Sequence, residues 1–116
     1  MAFDLSILDD GVKLAKMTGR LDMQAVNEIG DQFAFSVANS KGSAIVDLSE
    51  VTFLASIGMR MLISAARALK NRERKMVLLS PSPEVKDALV MAGFDELIPI
   101  CDDMDAAMAM IKEPVA

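Results

Sequence analysis

The sequence predicts an α/β fold: a single-layer mixed sheet of about five strands with four helices mainly on one face. Three observations lead there. Short apolar runs at 43–48 and 75–80 read as strands buried on both sides. Segments of helical periodicity lie between them. The resulting order, β-β-α-β-α-β-α-β-α, suits a largely parallel sheet, because parallel neighbours need a crossover and a helix supplies it.

Residues 3–8, FDLSIL, alternate loosely and read as a first strand. Asp9-Asp10-Gly11 is a turn signal, since glycine adopts positive φ without steric cost. Residues 12–18, VKLAKMT, alternate again through Val12, Leu14 and Met17, and complete a hairpin that Gly19 ends. A first strand held by a hairpin is expected at or near a sheet edge.

Asp22 caps a helix running to about Asn39, with Val26, Ile29, Phe33 and Val37 on its apolar face. Gln24, Asn27, Glu28 and Asp31 face water; Phe35 falls on that side, where semi-buried packing is expected. Lys41-Gly42 closes the helix. The strand at 43–48 continues through Ser49–Leu54 toward Ser56. From Ser56 the period becomes helical until Asn71-Arg72-Glu73-Arg74. Gly58, Leu62, Ala66 and Leu69 lie on the core face, Arg60, Ser64, Arg67 and Asn71 opposite, and Ile57, Met61 and Ala68 on a flank.

After the strand at 75–80, Ser82-Pro83-Glu84 is a helix start: a hydroxyl cap, proline at the first position, then an acid. Val85, Ala88, Leu89 and Ala92 form its buried stripe and Gly93 stops it. Residues 97–101, LIPIC, make a last strand, which Pro99 assigns to an edge. Asp102 or Asp103 starts a final helix with Met104, Met108 and Ile111 inward, and Pro114 begins the tail.

Composition removes several function classes. The chain has 116 residues and is 53% hydrophobic, as expected of one packed domain over 1–116 with its core in 3–112. A net charge of -5 without a basic run argues against nucleic acid. No apolar run approaches the ~20 residues a membrane-spanning helix needs, and acids interrupt MAFDLSILDDGVK too early for a signal peptide. Cys101 is the only cysteine, so no disulfide forms within the chain. A cytoplasmic protein, monomeric when free, is the expectation.

Histidine is absent, which removes the commonest general base and the commonest transition-metal ligand. Asp102, Asp103 and Asp105 lack the glycine and distant glutamate of a calcium loop, and read as acids favoured at a helix start. No enzyme, cofactor or metal is expected. The 10 methionines are mostly core filler, but Met61, beside Ile57, suits a partner surface.

Ser56 stands out. It follows the apolar VTFL-Ala55 and precedes Ile57-Gly58 at the point where the period changes. One reading is a helix cap, since serine satisfies an otherwise orphan N–H there. The other is a phosphate acceptor, since a helix N-terminus tolerates an anion. A catalytic serine is disfavoured: no histidine is present, and Leu54 breaks the G-x-S-x-G pattern. Gly58 reads as a close-packing position.

These segments resemble the STAS domains of the anti-sigma factor antagonist family. The carriers are Thr18-Gly19-Arg20-Leu21-Asp22, VDLSEVTFLASIG at 46–58, SPSPEVKDAL at 80–89 and AGFDELIPI at 92–100, and the likeness covers about residues 3–112. The family's central block ends in aspartate, serine, a second hydroxyl and glycine; here it reads Ala55-Ser56-Ile57-Gly58. Two positions depart: Ala55 replaces the acid and Ile57 the second hydroxyl.

The resemblance implies partner switching. The phosphorylated serine falls on Ser56 and the loop acid on Asp22, with Ala55, Ile57, Gly58 and Met61 at the partner surface. The implied partners are an anti-sigma factor serine kinase of the histidine-kinase-like ATPase fold, and a metal-dependent serine phosphatase that resets the switch. Competing readings are a STAS scaffold that does not switch, and a small-ligand or nucleotide-binding regulatory domain using the strand ends near Ser56.

Overall fold

The computed structural model describes residues 2–8 and 11–113. Its strands are β1 (Ala2–Ile7), β2 (Lys13–Leu21), β3 (Ala44–Leu54), β4 (Met76–Leu79) and β5 (Ile100–Cys101). Its helices are α1 (Met23–Ala38), α2 (Ser56–Asn71), α3 (Pro83–Met91), α4 (Phe94–Leu97) and α5 (Met104–Lys112). The sheet is ordered β1-β2-β3-β4-β5, with β1 antiparallel to β2 and every other pair parallel. The mixed five-stranded sheet is the expected architecture, and both the hairpin strand β1 and the strand β5, which follows Pro99, are at edges.

Alternation along the strands decides where each helix packs. Ala15, Met17, Ala44, Val46, Leu48, Met76 and Leu78 face one side and meet Ile29, Phe33 and Val37 of α1, Leu62, Ala65 and Leu69 of α2, and Val85 and Leu89 of α3. Ile45, Val77 and Leu79 face the other side, where Ala107 of α5 and its neighbours cover them. Phe33 is fully buried and meets Phe3 edge-on, with ring centroids 5.8 Å apart. Full burial of each such side chain contributes about 1.5–3 kcal/mol. The surface ion pairs, at 3.5 to 3.6 Å, contribute at most about 1 kcal/mol each. Apolar layering therefore holds the fold.

The caps fall where the side chains predict. Asp22 accepts from the Ala25 amide, Ser82 from Val85 and Asp103 from Ala106, and Pro83 occupies the first turn of α3. Asn39 is the C-cap of α1. Gly11, at φ 75, belongs to the predicted hairpin turn, which the Leu8 N–H helps close by donating to the Val12 carbonyl. Asp9 and Asp10 of that turn, and Pro114, lie outside the described residues.

Five details differ from the sequence expectations. Gly19 does not end β2: with φ 99 and register shifts on both sides it accommodates bulges, and the strand runs on to Leu21. Ala65, rather than Ala66, is the buried alanine of α2, while Gly58, Leu62 and Leu69 are buried as expected. Ala92, the C-cap of α3, is exposed. Phe35 is 71% exposed, since its helix face lies away from the core. Residues 97–101 do not form one strand. Gly93, at φ 79, redirects the chain, Phe94 is buried, and the single turn α4 consumes Leu97, leaving Ile100–Cys101 to pair with β4.

The extension of β2 brings Leu21 opposite Leu54. The Ala55 N–H donates to the Leu21 carbonyl at 3.0 Å, tying the start of α2 to the end of β2. Gly58 packs against the same place. A Cβ there would lie 2.9 Å from the Leu21 carbonyl oxygen and 3.0 Å from both Leu21 Cγ and Leu54 Cδ1. Gly58→Ala is expected to destabilise the fold by about 1–2 kcal/mol. Overpacking costs of about 1–3 kcal/mol outweigh a helix-propensity gain of at most ~1 kcal/mol. Urea unfolding checks this: the midpoint should fall with the slope unchanged, and an unmoved midpoint would mean that the seam has room.

Candidate functional site

The candidate site is built around the Leu21–Ala55 hydrogen bond. On one side of it the chain leaves β2 and enters α1 through Asp22. On the other it leaves β3 and enters α2 through Ala55 and Ser56. Two residues 34 apart in sequence thus flank one backbone contact.

Ser56 is not the cap of α2. The N-cap backbone is that of Ala55, at φ -84 and ψ 164, and no side chain caps the helix. Ser56 is the first helical residue and is exposed. The amides of Ser56, Ile57 and Gly58 precede the first i→i−4 bond, which runs from the Met59 N–H to the Ala55 carbonyl at 3.0 Å. Three orphan donors and the positive end of the helix dipole therefore surround an accessible hydroxyl. The cap reading fails because the backbone turns helical one residue earlier than a serine cap requires.

Asp22 is held from two sides. Its Oδ1 accepts from the Ala25 amide at 3.1 Å, and its Oδ2 faces Arg20 Nε at 3.6 Å. The Arg20 guanidinium in turn lies 4.3 Å from the Phe53 ring centroid, a cation–π contact. Arg20 and Phe53 are cross-strand partners in the sheet. The sequence does not reveal this pairing, because it depends on the bulged register of β3 against β2.

Ile57 and Met61 are half-buried, as expected of a flank. With Val26, Asn27, Gly30, Asp31, Arg60 and Ser64 they line an open groove of about 370 Å³ between α1 and α2. Gly58, by contrast, is buried and shapes the site without lining the groove. The α1 wall was invisible in the sequence: only the packing of two helices brings Gly30 opposite Met61.

Burial, then the Asp103 and Asp102 carboxylates, push the Cys101 thiol above its ordinary value, so it is held as the poorly nucleophilic thiol. Among the described residues no three metal-ligating side chains gather, and no helix is long and apolar enough to cross a membrane.

Asp22→Ala is expected to cost about 1 kcal/mol through the lost cap. It should lower the melting temperature by several degrees, since 1 kcal/mol shifts a domain of ~100 residues by about 4–8 °C. Asp22→Asn, which retains an accepting oxygen, should lose far less in thermal unfolding. Equal losses in the two variants would place the effect in the ion pair with Arg20.

The same fold occurs in known proteins. The STAS domain family model matches residues 8–107. The anti-sigma factor antagonist BtrV of Bordetella bronchiseptica is 23% identical over 103 residues, covering 89% of each chain. The crystal structure of an anti-sigma factor antagonist from Thermotoga maritima superposes with a TM-score of 0.86 at 20% identity, over 96% of this chain and 95% of that one. The Bacillus cell fate determinant SpoIIAA in its phosphorylated form gives 0.72 at 20% identity, over 96% of this chain and 100% of that one. With the family model spanning most of its length, this chain belongs to the STAS domain family.

Proposed function

We propose that the protein is an anti-sigma factor antagonist acting by partner switching, with Ser56 as the phosphorylated residue. In this reading the unmodified chain binds a serine-kinase anti-sigma factor of the histidine-kinase-like ATPase fold and frees the sigma factor. Phosphorylation releases the chain, and a metal-dependent serine phosphatase resets it. The protein works in the cytoplasm with these partners and leaves the catalysis to them. One observation carries the reading: Ser56 is exposed at an uncapped helix start, where its hydroxyl has no structural task. Its relatives support it, one of them being known in a phosphorylated form.

The transfer balances simply. The γ-phosphoryl group of ATP moves to Ser56 Oγ, ADP leaves, and the hydroxyl proton passes to a base on the kinase. This chain has no histidine, and Ala55 stands directly before Ser56, so the partner supplies the base.

The physics of release follows from charge. Phosphate adds about 1.5–2 negative charges at the start of α2. In the free chain the orphan amides face it. In a closed interface it loses water without gaining partners, and Asp22, beyond the Leu21–Ala55 bond, adds repulsion. A penalty of about 3 kcal/mol weakens binding more than a hundredfold.

The test is binding to the kinase before and after incubation with ATP, followed by intact mass. Ser56→Ala should bind and resist release by ATP. Ser56→Asp should bind more weakly, and Ala55→Asp should raise the phosphorylation rate if the absent acid limits it. If wild type is not released by prolonged ATP, or is released exactly as Ser56→Ala is, the switch reading fails and a scaffold role takes its place.

Ile57 and Met61 are the proposed anchors. Ile57→Ala and Met61→Ala should each weaken the complex by about 1 kcal/mol or more, with unfolding midpoints near wild type. Calorimetry checks this, and unchanged dissociation constants for both would move the interface away from the groove.

A further inference from the structure

Arg60 stands four residues after Ser56 on α2. Side chains at that spacing have Cβ atoms about 5–6 Å apart and lie one above the other on the helix. A guanidinium reaches a phosphate across that gap. Arg60 is exposed, and its side chain makes no hydrogen bond or ion pair among the described residues. The other cation by the site, Arg20, is already held by Asp22 and Phe53. Across the groove α1 offers Asn27 and Asp31, and Asp31 makes no ion pair with Arg60.

From this arrangement we infer that Arg60 is the internal counter-charge of a phosphate on Ser56, binding it along one turn of α2. The inference rests on Ser56 being the modified residue. Guanidinium–phosphate pairs are charge-assisted and can be bidentate, so they outweigh ordinary helix-surface ion pairs. Arg60 also lines the groove beside Ile57 and Met61. Pairing draws it toward the helix start. One modification therefore adds negative charge at Ser56 and removes the unpaired cation from the groove. The free phosphorylated state gains a stabilising contact that the docked state does not need.

The test uses the full chain with phosphoserine installed at position 56 during synthesis, so no kinase is involved. Phosphorus NMR follows the second phosphate ionisation, which lies near pH 6 for an ordinary phosphoserine. In wild type its midpoint should lie about 0.5 below that of Arg60→Ala. The gap should shrink in 1 M salt, and Arg60→Lys should recover part of it. Arg67→Ala, a control further along the exposed face, should titrate like wild type. The Arg60 side-chain Nε–H signal should move with the same midpoint. Superimposable titrations of wild type and Arg60→Ala, or an equal shift in Arg67→Ala, would overturn the pairing. Because the phosphate is installed directly, this result is independent of the ATP-release assay that tests the switch itself.

Discussion

The structure depends on a single seam, the hydrogen bond from the Ala55 N–H to the Leu21 carbonyl with Gly58 packed against it. It joins the ends of two parallel neighbours, and each leads directly into a helix. Parallel strands deliver their carboxyl ends to the same edge of the sheet, so the α1 and α2 starts must lie side by side there. The missing Cβ of Gly58 sets how closely they approach. A larger side chain would push α2 away from β2 and separate Asp22 from Ser56. The bulges around Gly19 are the other half of the device: β3 advances from Ala44 to Leu54 while β2 advances only from Lys13 to Leu21, so the residues taken up by the bulges lie on β3 and bring Leu54 opposite Leu21.

The two helix starts are treated differently, and the difference has chemical content. The α1 start is closed by Asp22, which also engages Arg20. At the α2 start, Ala55 has no polar side chain to offer. Leaving out a cap typically costs about 1 kcal/mol, and the uncapped amides are what an incoming anion needs. The stable helix start holds the acid in place, and the neighbouring one is left open beside it. A capped and an uncapped helix start thus sit on two loops that share one backbone bond.

The groove carries the same asymmetry outward. Its apolar wall is made by Ile57 and Met61 of α2 with Val26 of α1, and Gly30 leaves room between them. Its charged rims, Asp31 and Arg60, come from opposite helices. The far face of the sheet is covered by α5, whose methionines fill against Val77 and Leu79. Most methionines of the chain therefore serve packing, while Met61 lies where packing ends and solvent begins.

The α/β class, the element order, both edge strands and the caps Asp22, Ser82 and Asp103 were legible in the sequence, because each rests on local rules: periodicity, turn chemistry and side-chain-to-amide hydrogen bonds. Ser56 was legible as the point of interest, but not its role in the helix, since a cap and a first helical residue differ only in one residue's φ and ψ. The Arg20–Phe53 contact, the α1 wall of the groove and the burial of Ala65 in place of Ala66 were not legible. Arg20 and Phe53 are 33 residues apart, and bulged register brings them together. The short α4 was hidden because Phe94 is buried by tertiary contact, which overrides the strand-like pattern of LIPIC. Sequence by itself determined which segments form elements and which side of each is apolar. The tertiary structure alone decided which elements meet, because register and helix approach are set by contacts between residues distant in the chain.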